Sequence, residues 1–334
     1  MKPLKPLVAI MTLATVLVAC GPSAGGLGTV PPIPPSPGPS ASQGEPDLTP
    51  APSPTAPPPT SAPSPAPTGS APPATPQPSP ATPAPTPAPS TLVRAYFYLG
   101  GEPGSAGLVA VLREVTQTRA VATAAMNELL AGPTSVESGD RTITSAIPDG
   151  TRLLGLTIDN GIATVDLSRE FETGGGSASV LNRLSQVVYT LTQFPTVTGV
   201  VFKLEGEVVT VFSGEGVVLD GPVSRADYEE LLPAVFVDRP VWRAALGNPG
   251  RVAGNANVFE ATFMITILDG RGRVVYEEHA TATCGTGCRG TFDVTVRYDV
   301  DRAQWGTLRV WVSSARDGSP ENVREYPVWL TPAS

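Results

Sequence analysis

The sequence predicts an α+β domain followed by an all-β sandwich, both behind a disordered proline-rich linker. Residues 22–90 hold about two-thirds of the chain's 39 prolines and carry no charges except Glu45 and Asp47. Residues 91–230 mix strand-like runs with two stretches of helical periodicity. From Val235 onward that periodicity disappears, and short strand-like runs recur at the spacing of a sandwich.

At the start, Lys2 and Lys5 precede an apolar run from Leu7 to Val18. The run is too short to span a bilayer comfortably, but it suits the h-region of an export signal, so residues 1–19 read as a signal peptide. Leu17-Val18-Ala19-Cys20 resembles the lipobox of bacterial lipoproteins. The resemblance implies cleavage before Cys20 and a lipid on Cys20 that holds the chain at a membrane. The plainer alternative is a secreted protein with a cysteine in its signal. Placement of Cys20 directly after L-V-A favours the lipoprotein, and Gly21-Pro22 stops the run short of an uncleaved anchor.

Residues 20–90 form the linker. Repeated P-A-P, P-S-P and P-T-P steps remove amide donors and hold φ near the polyproline value, so neither helix nor sheet is expected. At about 3.1 Å per residue such a spacer reaches roughly 200 Å when extended. Glycosylation or capture by a proline-recognising module are alternatives to a plain spacer. Lys2 and Lys5 cancel Glu45 and Asp47, so residues 91–334 keep the whole net charge of −8. That acidity argues against nucleic acid and against direct adhesion to anionic lipid. The length allows two modest cores rather than one.

In residues 91–230, Leu92–Leu99 and Leu108–Val115 read as strands. Ala120–Leu130 places Val121, Ala125, Met126, Leu129 and Leu130 on one helical face, and Gly132-Pro133 ends that helix. Thr142–Ile147 adds a short extended segment. Leu153–Ile158 and Ile162–Leu167 flank Asp159-Asn160-Gly161, a hairpin signal. After three glycines, Ser177 or Ser179 is placed to cap a helix reaching Phe194, with Val180, Leu184, Val187, Val188 and Leu191 as its buried stripe. Val197–Leu204 and Val208–Phe212 read as a hairpin around Glu205-Gly206. The order β-β-α-β-β-α-β-β implies a mixed sheet with both helices on one face.

Within these elements, E-L-L-A-G-P-T (Glu128–Thr134), S-A-I-P-D-G-T (Ser145–Thr151) and N-G-I-A-T-V-D-L-S (Asn160–Ser168) occur in order. V-V-Y-T-L-T-Q-F-P (Val187–Pro195) and S-R-A-D-Y (Ser224–Tyr228) follow them. Together they resemble the GerMN domain of bacterial sporulation and spore-germination proteins, present here in a single copy. The resemblance implies an envelope role and brings no catalytic residues.

In residues 231–334, Val258–Leu268 and Val274–Ala282 flank the hairpin signal Asp269-Gly270-Arg271-Gly272. Thr291–Tyr298, Thr307–Val312 and Val323–Leu330 complete the strands. V-F-E-A-T (Val258–Thr262), I-L-D-G-R-G (Ile267–Gly272) and S-A-R-D-G-S (Ser314–Ser319) resemble the immunoglobulin-like domain found beside GerMN in germination-related lipoproteins.

Of the three cysteines, one is assigned to the lipid and Cys284 and Cys288 to a disulfide. They sit in C-G-T-G-C, whose glycines allow so tight a loop, and closing it contributes roughly 2 kcal/mol. Zinc would need four ligands, and His279 is the only histidine. Nucleophile-elbow and phosphate-loop motifs are missing from the sequence. Gly285–Gly290 matches G-x-G-x-x-G by letter, but in an all-β setting without the helix that motif needs. Asp166 with Glu170, and Asp299 with Asp301, are pairs of a glycosidase or calcium type, though such neighbours are more often solvated surface. Arg225 and Tyr228 read as a clamp of the first domain's end, or alternatively as a partner surface. The four tryptophans, Trp242, Trp305, Trp311 and Trp329, read as core or strand-face residues, while an exposed row would suit carbohydrate or protein binding.

The expected protein is therefore a non-enzymatic, lipid-anchored envelope protein without metal or cofactor. It would dock to an envelope protein or wall polymer. The alternative is a peptidoglycan-directed hydrolase or carbohydrate-binding module.

Overall fold

The structure, a computed structural model, describes residues 89–141, 143–212, 214 and 216–333. The expected signal peptide, Cys20 and the linker up to residue 88 lie outside the described residues.

The first region opens with an antiparallel hairpin, β1 (Ser90–Leu99) and β2 (Gly107–Thr116). Two helices follow, α1 (Val121–Leu130) and α2 (Ser135–Arg141), and then β3 (Ile143–Thr144), which pairs with the far edge of β1. Strands β4 (Leu153–Asp159) and β5 (Ile162–Leu167) form the hairpin that Asp159-Asn160-Gly161 announces. Asn160 and Gly161 have φ of 48° and 85°, the left-handed conformations a two-residue turn requires. Helix α3 (Ser177–Leu191) then crosses to β6 (Gly199–Leu204), which lies parallel to β5.

The α+β class is as the sequence predicts, but its strands divide between the sheet β2-β1-β3, a second sheet in which β4, β5 and β6 run side by side, and a small ribbon. The expected run Val208–Phe212 is also divided. Strand β7 (Glu207–Val208) pairs back on β6, while β8 (Val211–Phe212) forms a separate ribbon with β9 (Val217–Val218).

Helix α1 buries Ala122, Ala125, Met126 and Leu129, with Val121 and Leu130 only half-buried. The stripe expected on α3 is fully buried, yet Arg183, Ser185, Gln186, Tyr189 and Thr190 are buried too. The face that the pattern would leave to solvent is covered chiefly by β1 and the 171–174 segment of the same region, with Phe236 of the second region edge-on to Tyr189 at 6.3 Å. Each buried polar group that this creates has to find a protein partner. Arg183 donates to the carbonyls of Phe171, Thr173 and Gly174, and the Gln186 amide donates to Tyr96 O at 2.9 Å. The N-cap of α3 is Gly176 rather than Ser177 or Ser179, and the helix ends at Leu191, before Phe194.

The sequence reading leaves out α2, although Thr134-x-x-Glu137 is a capping-box pattern. Thr134 N donates to Glu137 Oε2 at 2.7 Å, and Arg113 forks the same carboxylate at 2.5 and 2.7 Å. Burial pushes the Glu137 pKa up, but Arg113 and the Thr134 amide outweigh it and hold the carboxyl below its ordinary value of 4.5. A carboxylate with a depressed folded pKa stabilises the fold above the unfolded value, and loses that contribution as pH falls through the folded one. Glu137→Gln is therefore expected to cost about 2 kcal/mol at pH 7, the worth of a charge-assisted hydrogen bond. In urea melts the gap from wild type should close as pH drops below 4.5; a gap of the same size at pH 3 would contradict this assignment.

The second region is a sandwich of two sheets. One holds β10 (Val235–Arg239), β12 (Gly250–Ala256) and β15 (Gly290–Val296). The other is five-stranded, in the order β11 (Ala245–Leu246), β17 (Pro320–Leu330), β16 (Gln304–Ser313), β13 (Thr262–Leu268) and β14 (Val274–Thr281). Between the sheets, Phe263 meets Phe292 at 4.7 Å. Where the sequence suggests two cores, the buried side chains of both regions join in one main cluster. Polar links cross the same junction. Arg94 forks Asp238 with both distances 2.9 Å, and the Tyr96 hydroxyl donates to Asp238 at 3.1 Å. Burial works against the Arg94 charge, but Tyr96 and Asp238 keep its pKa above the ordinary value.

Candidate functional site

The residues singled out from sequence fall into three groups. Cys284 and Cys288 are joined by a disulfide with their Cα atoms 5.8 Å apart, in the connection from β14 to β15. The loop they close is buttoned to the turn at 257–261: Thr286 N donates to Val258 O at 3.0 Å, and Glu260 N donates to Thr286 Oγ1 at 3.0 Å. The G-x-G-x-x-G letters run directly into β15, so no helix N-terminus stands behind them.

Arg225 and Tyr228 lie in a 3-10 segment, Arg225–Leu231, that starts with a capping box between Ser224 and Asp227. The Arg225 guanidinium sits 4.6 Å over the Tyr189 ring, donates to Thr192 Oγ1 at 2.8 Å and reaches the Tyr96 hydroxyl at 3.3 Å. Tyr228 is buried, and burial raises its hydroxyl pKa. Both side chains are turned into the protein, tying the end of the first region to α3 and β1.

The carboxylate pairs are not assembled into a site. Asp166 accepts from Gly206 N at 3.0 Å, Glu170 faces Arg152 at 3.9 Å, and Asp299 and Asp301 are exposed. Among the described residues, no group of three His, Cys, Asp or Glu side chains could hold a metal ion. His279 is exposed on β14, opposite Met264.

The tryptophans separate cleanly. Trp242 is buried at the junction, edge-on to Tyr326 at 6.4 Å. Trp305, Trp311 and Trp329 point outward from the five-stranded sheet, in phase opposite to the buried Leu308, Val310 and Val328. Trp305 and Trp329 are register partners on β16 and β17, their rings 5.3 Å apart at 74°. Arg243 lies 4.6 Å over the Trp305 ring, which stays 43% exposed. Beside it runs an open groove of about 370 Å³, lined by Leu268, Asp269, Trp305, Thr307, Arg309 and Glu325 among others. Arg309 donates to Glu325 Oε1 through Nε at 2.9 Å and lies 2.7 Å from the same oxygen through Nη2. The Asp269 carboxyl is held below its usual range by the Arg273 amide first and the Arg273 side chain after it.

Residues 94–210 match the Germane family, described as sporulation and spore germination, and residues 234–319 match Gmad2, the immunoglobulin-like domain of bacterial spore germination. Neither is a known enzyme family. Among solved structures, the first GerMN domain of the sporulation protein GerM from Bacillus subtilis is 21% identical, with a TM-score of 0.35, over 41% of this chain and 99% of that one. The tandem GerMN domains of the same protein are 14% identical with a TM-score of 0.36; the match covers 74% of this chain and 62% of theirs. A putative lipoprotein from Clostridium perfringens is 18% identical with a TM-score of 0.30, over 42% of this chain and 92% of its own. The chain has no significant match among curated proteins.

Proposed function

We propose that this chain, which carries a Germane domain followed by a Gmad2 domain, is a lipid-anchored envelope protein whose two domains dock to an envelope protein or wall polymer without catalysis. The observation that carries the reading is the pairing of two germination-type domains around a shared core. A continuous core and the Arg94–Asp238 ion pair across the junction hold surfaces at fixed angles, which suits a scaffold more than a pair of independently swinging modules. The lipobox-like L-V-A-C and the proline-rich segment motivate the anchor and its reach.

Cys20→Ala tests the anchor. The variant is expected to lose incorporated radiolabelled fatty acid and to leave the membrane fraction, and equal labelling of both forms would sink the reading. In vivo cross-linking followed by mass spectrometry should recover an envelope protein or wall fragments attached to residues 89–333. Release of sugar or peptide fragments from isolated wall material, abolished by changing one carboxylate, would replace docking with hydrolysis.

A further inference from the structure

We infer that the groove beside Trp305 is a saccharide site that takes neutral hexopyranose units of a glycan strand. The inference names the surface and the partner chemistry of the docking proposed above, and it rests on that reading.

A pyranose ring offers a patch of C–H groups on its face and hydroxyls around its rim. Recognition therefore needs a flat aromatic surface next to fixed donors and acceptors. Trp305 supplies the surface, and it is already clamped by Arg243 on a ring face and Trp329 at an angle. A side chain held this way has little rotamer freedom left to lose on binding. Arg309 and Glu325 lock each other in one geometry along the same groove, presenting charged polar groups suited to hydroxyls. Thr307 adds a hydroxyl to the lining. The groove, about 370 Å³, falls within the roughly 300–1,000 Å³ of small-ligand sites.

Charge and polarity narrow the occupant. Each acid in the groove is matched by an arginine, Glu325 by Arg309 and Asp269 by Arg273 at 2.7 Å. The lining thus offers no excess charge to select an anionic polymer or a strongly charged peptide. A protein partner is also disfavoured. Beside Trp305 the groove presents Thr307, Arg309 and Glu325, polar groups rather than the apolar centre that stable protein interfaces bury. Trp311 stands on the same face of β16 six residues on, about 20 Å away at strand rise, and so could meet a second part of an extended strand.

The test is calorimetric titration of the full chain, purified in detergent, with a neutral N-acetylglucosamine tetramer, and separately with polyglutamate as an anionic control. Saturable binding of the tetramer is expected, weakened at least tenfold by Trp305→Ala and only about threefold by Trp305→Phe, which keeps an aromatic face. Unchanged urea midpoints for both variants would show that the loss is not unfolding. Equal affinity of Trp305→Ala and wild type, or preference for polyglutamate, overturns the inference. So does a wild-type chain that binds no tetramer while still cross-linking to an envelope protein in vivo, and that outcome leaves the docking reading standing.

Discussion

Arg324→Met should lower the unfolding free energy by about 3 kcal/mol, through loss of its hydrogen bonds to three carbonyls of the first region. Arg324 lies on β17 at 2% exposure, and its guanidinium crosses into the first region. There it donates to Ser105 O at 2.6 Å, Leu108 O at 2.6 Å and Gly107 O at 3.3 Å, while its Nε donates to the Tyr326 hydroxyl at 2.7 Å. Methionine fills similar volume but offers no donor to Ser105 in the β1–β2 connection or to Gly107 and Leu108 at the start of β2. Arg324→Lys should recover only part of the loss, because an ammonium cannot fork to carbonyls spread over four residues. Urea melts of the full chain supply the measurement. The wild type should unfold in one transition, consistent with its single main core, and Arg324→Met should separate the two regions or shift the midpoint sharply. A shift worth less than about 0.5 kcal/mol, the size of an ordinary surface change, would mean the contact carries no load.

Features with local signals were legible in the sequence. Asp159-Asn160-Gly161 specifies its own turn, Gly132-Pro133 ends its own helix, and β13 to β17 alternate clearly enough to be found. What escaped depends on partners far along the chain. Nothing near Arg94 indicates Asp238, and nothing near Arg324 indicates Ser105, although Arg324 does stand in phase with the inward residues Tyr326, Val328 and Leu330. An arginine at an inward position of a strand was the available signal. The polar residues of α3 read as a solvent face until β1 and the 171–174 segment are laid against them. The Thr134 and Glu137 capping pair is a local signal masked by Ser-Gly-Asp inside α2, which looks like a loop. For the candidate site, composition identified the tryptophans but not their exposure. Only the pairing of Trp305 with Trp329 across β16 and β17 places two of them side by side.

Gly254→Ala should cost about 3 kcal/mol, at the upper end for overpacking a tight site. Strand β12 reads Gly-Arg-Val-Ala-Gly-Asn-Ala, too poor in branched residues to look like a strand from sequence. Its glycine has a packing reason. Gly254 pairs with Val237 in β10, next to an irregularity in register, and a Cβ there would overlap the Phe236 carbonyl oxygen and sit 3.0 Å from Phe292 Cζ. Relief requires β10 to move, because the obstacle is backbone rather than the end of a flexible side chain. That strand carries Phe236 against Tyr189 and Asp238 against Arg94, so its displacement loosens the junction as well as the sheet. Hydrogen exchange should therefore rise in β10 and at the α3 amides around Tyr189, far from the substituted residue. Gly139→Ala is the matched control, since nothing lies within 4 Å of the added carbon and the position is helical. It should be neutral or stabilise by up to about 1 kcal/mol. Equal stability of both variants would show that β10 can yield without cost, and that the two regions are less tightly joined than their shared core implies.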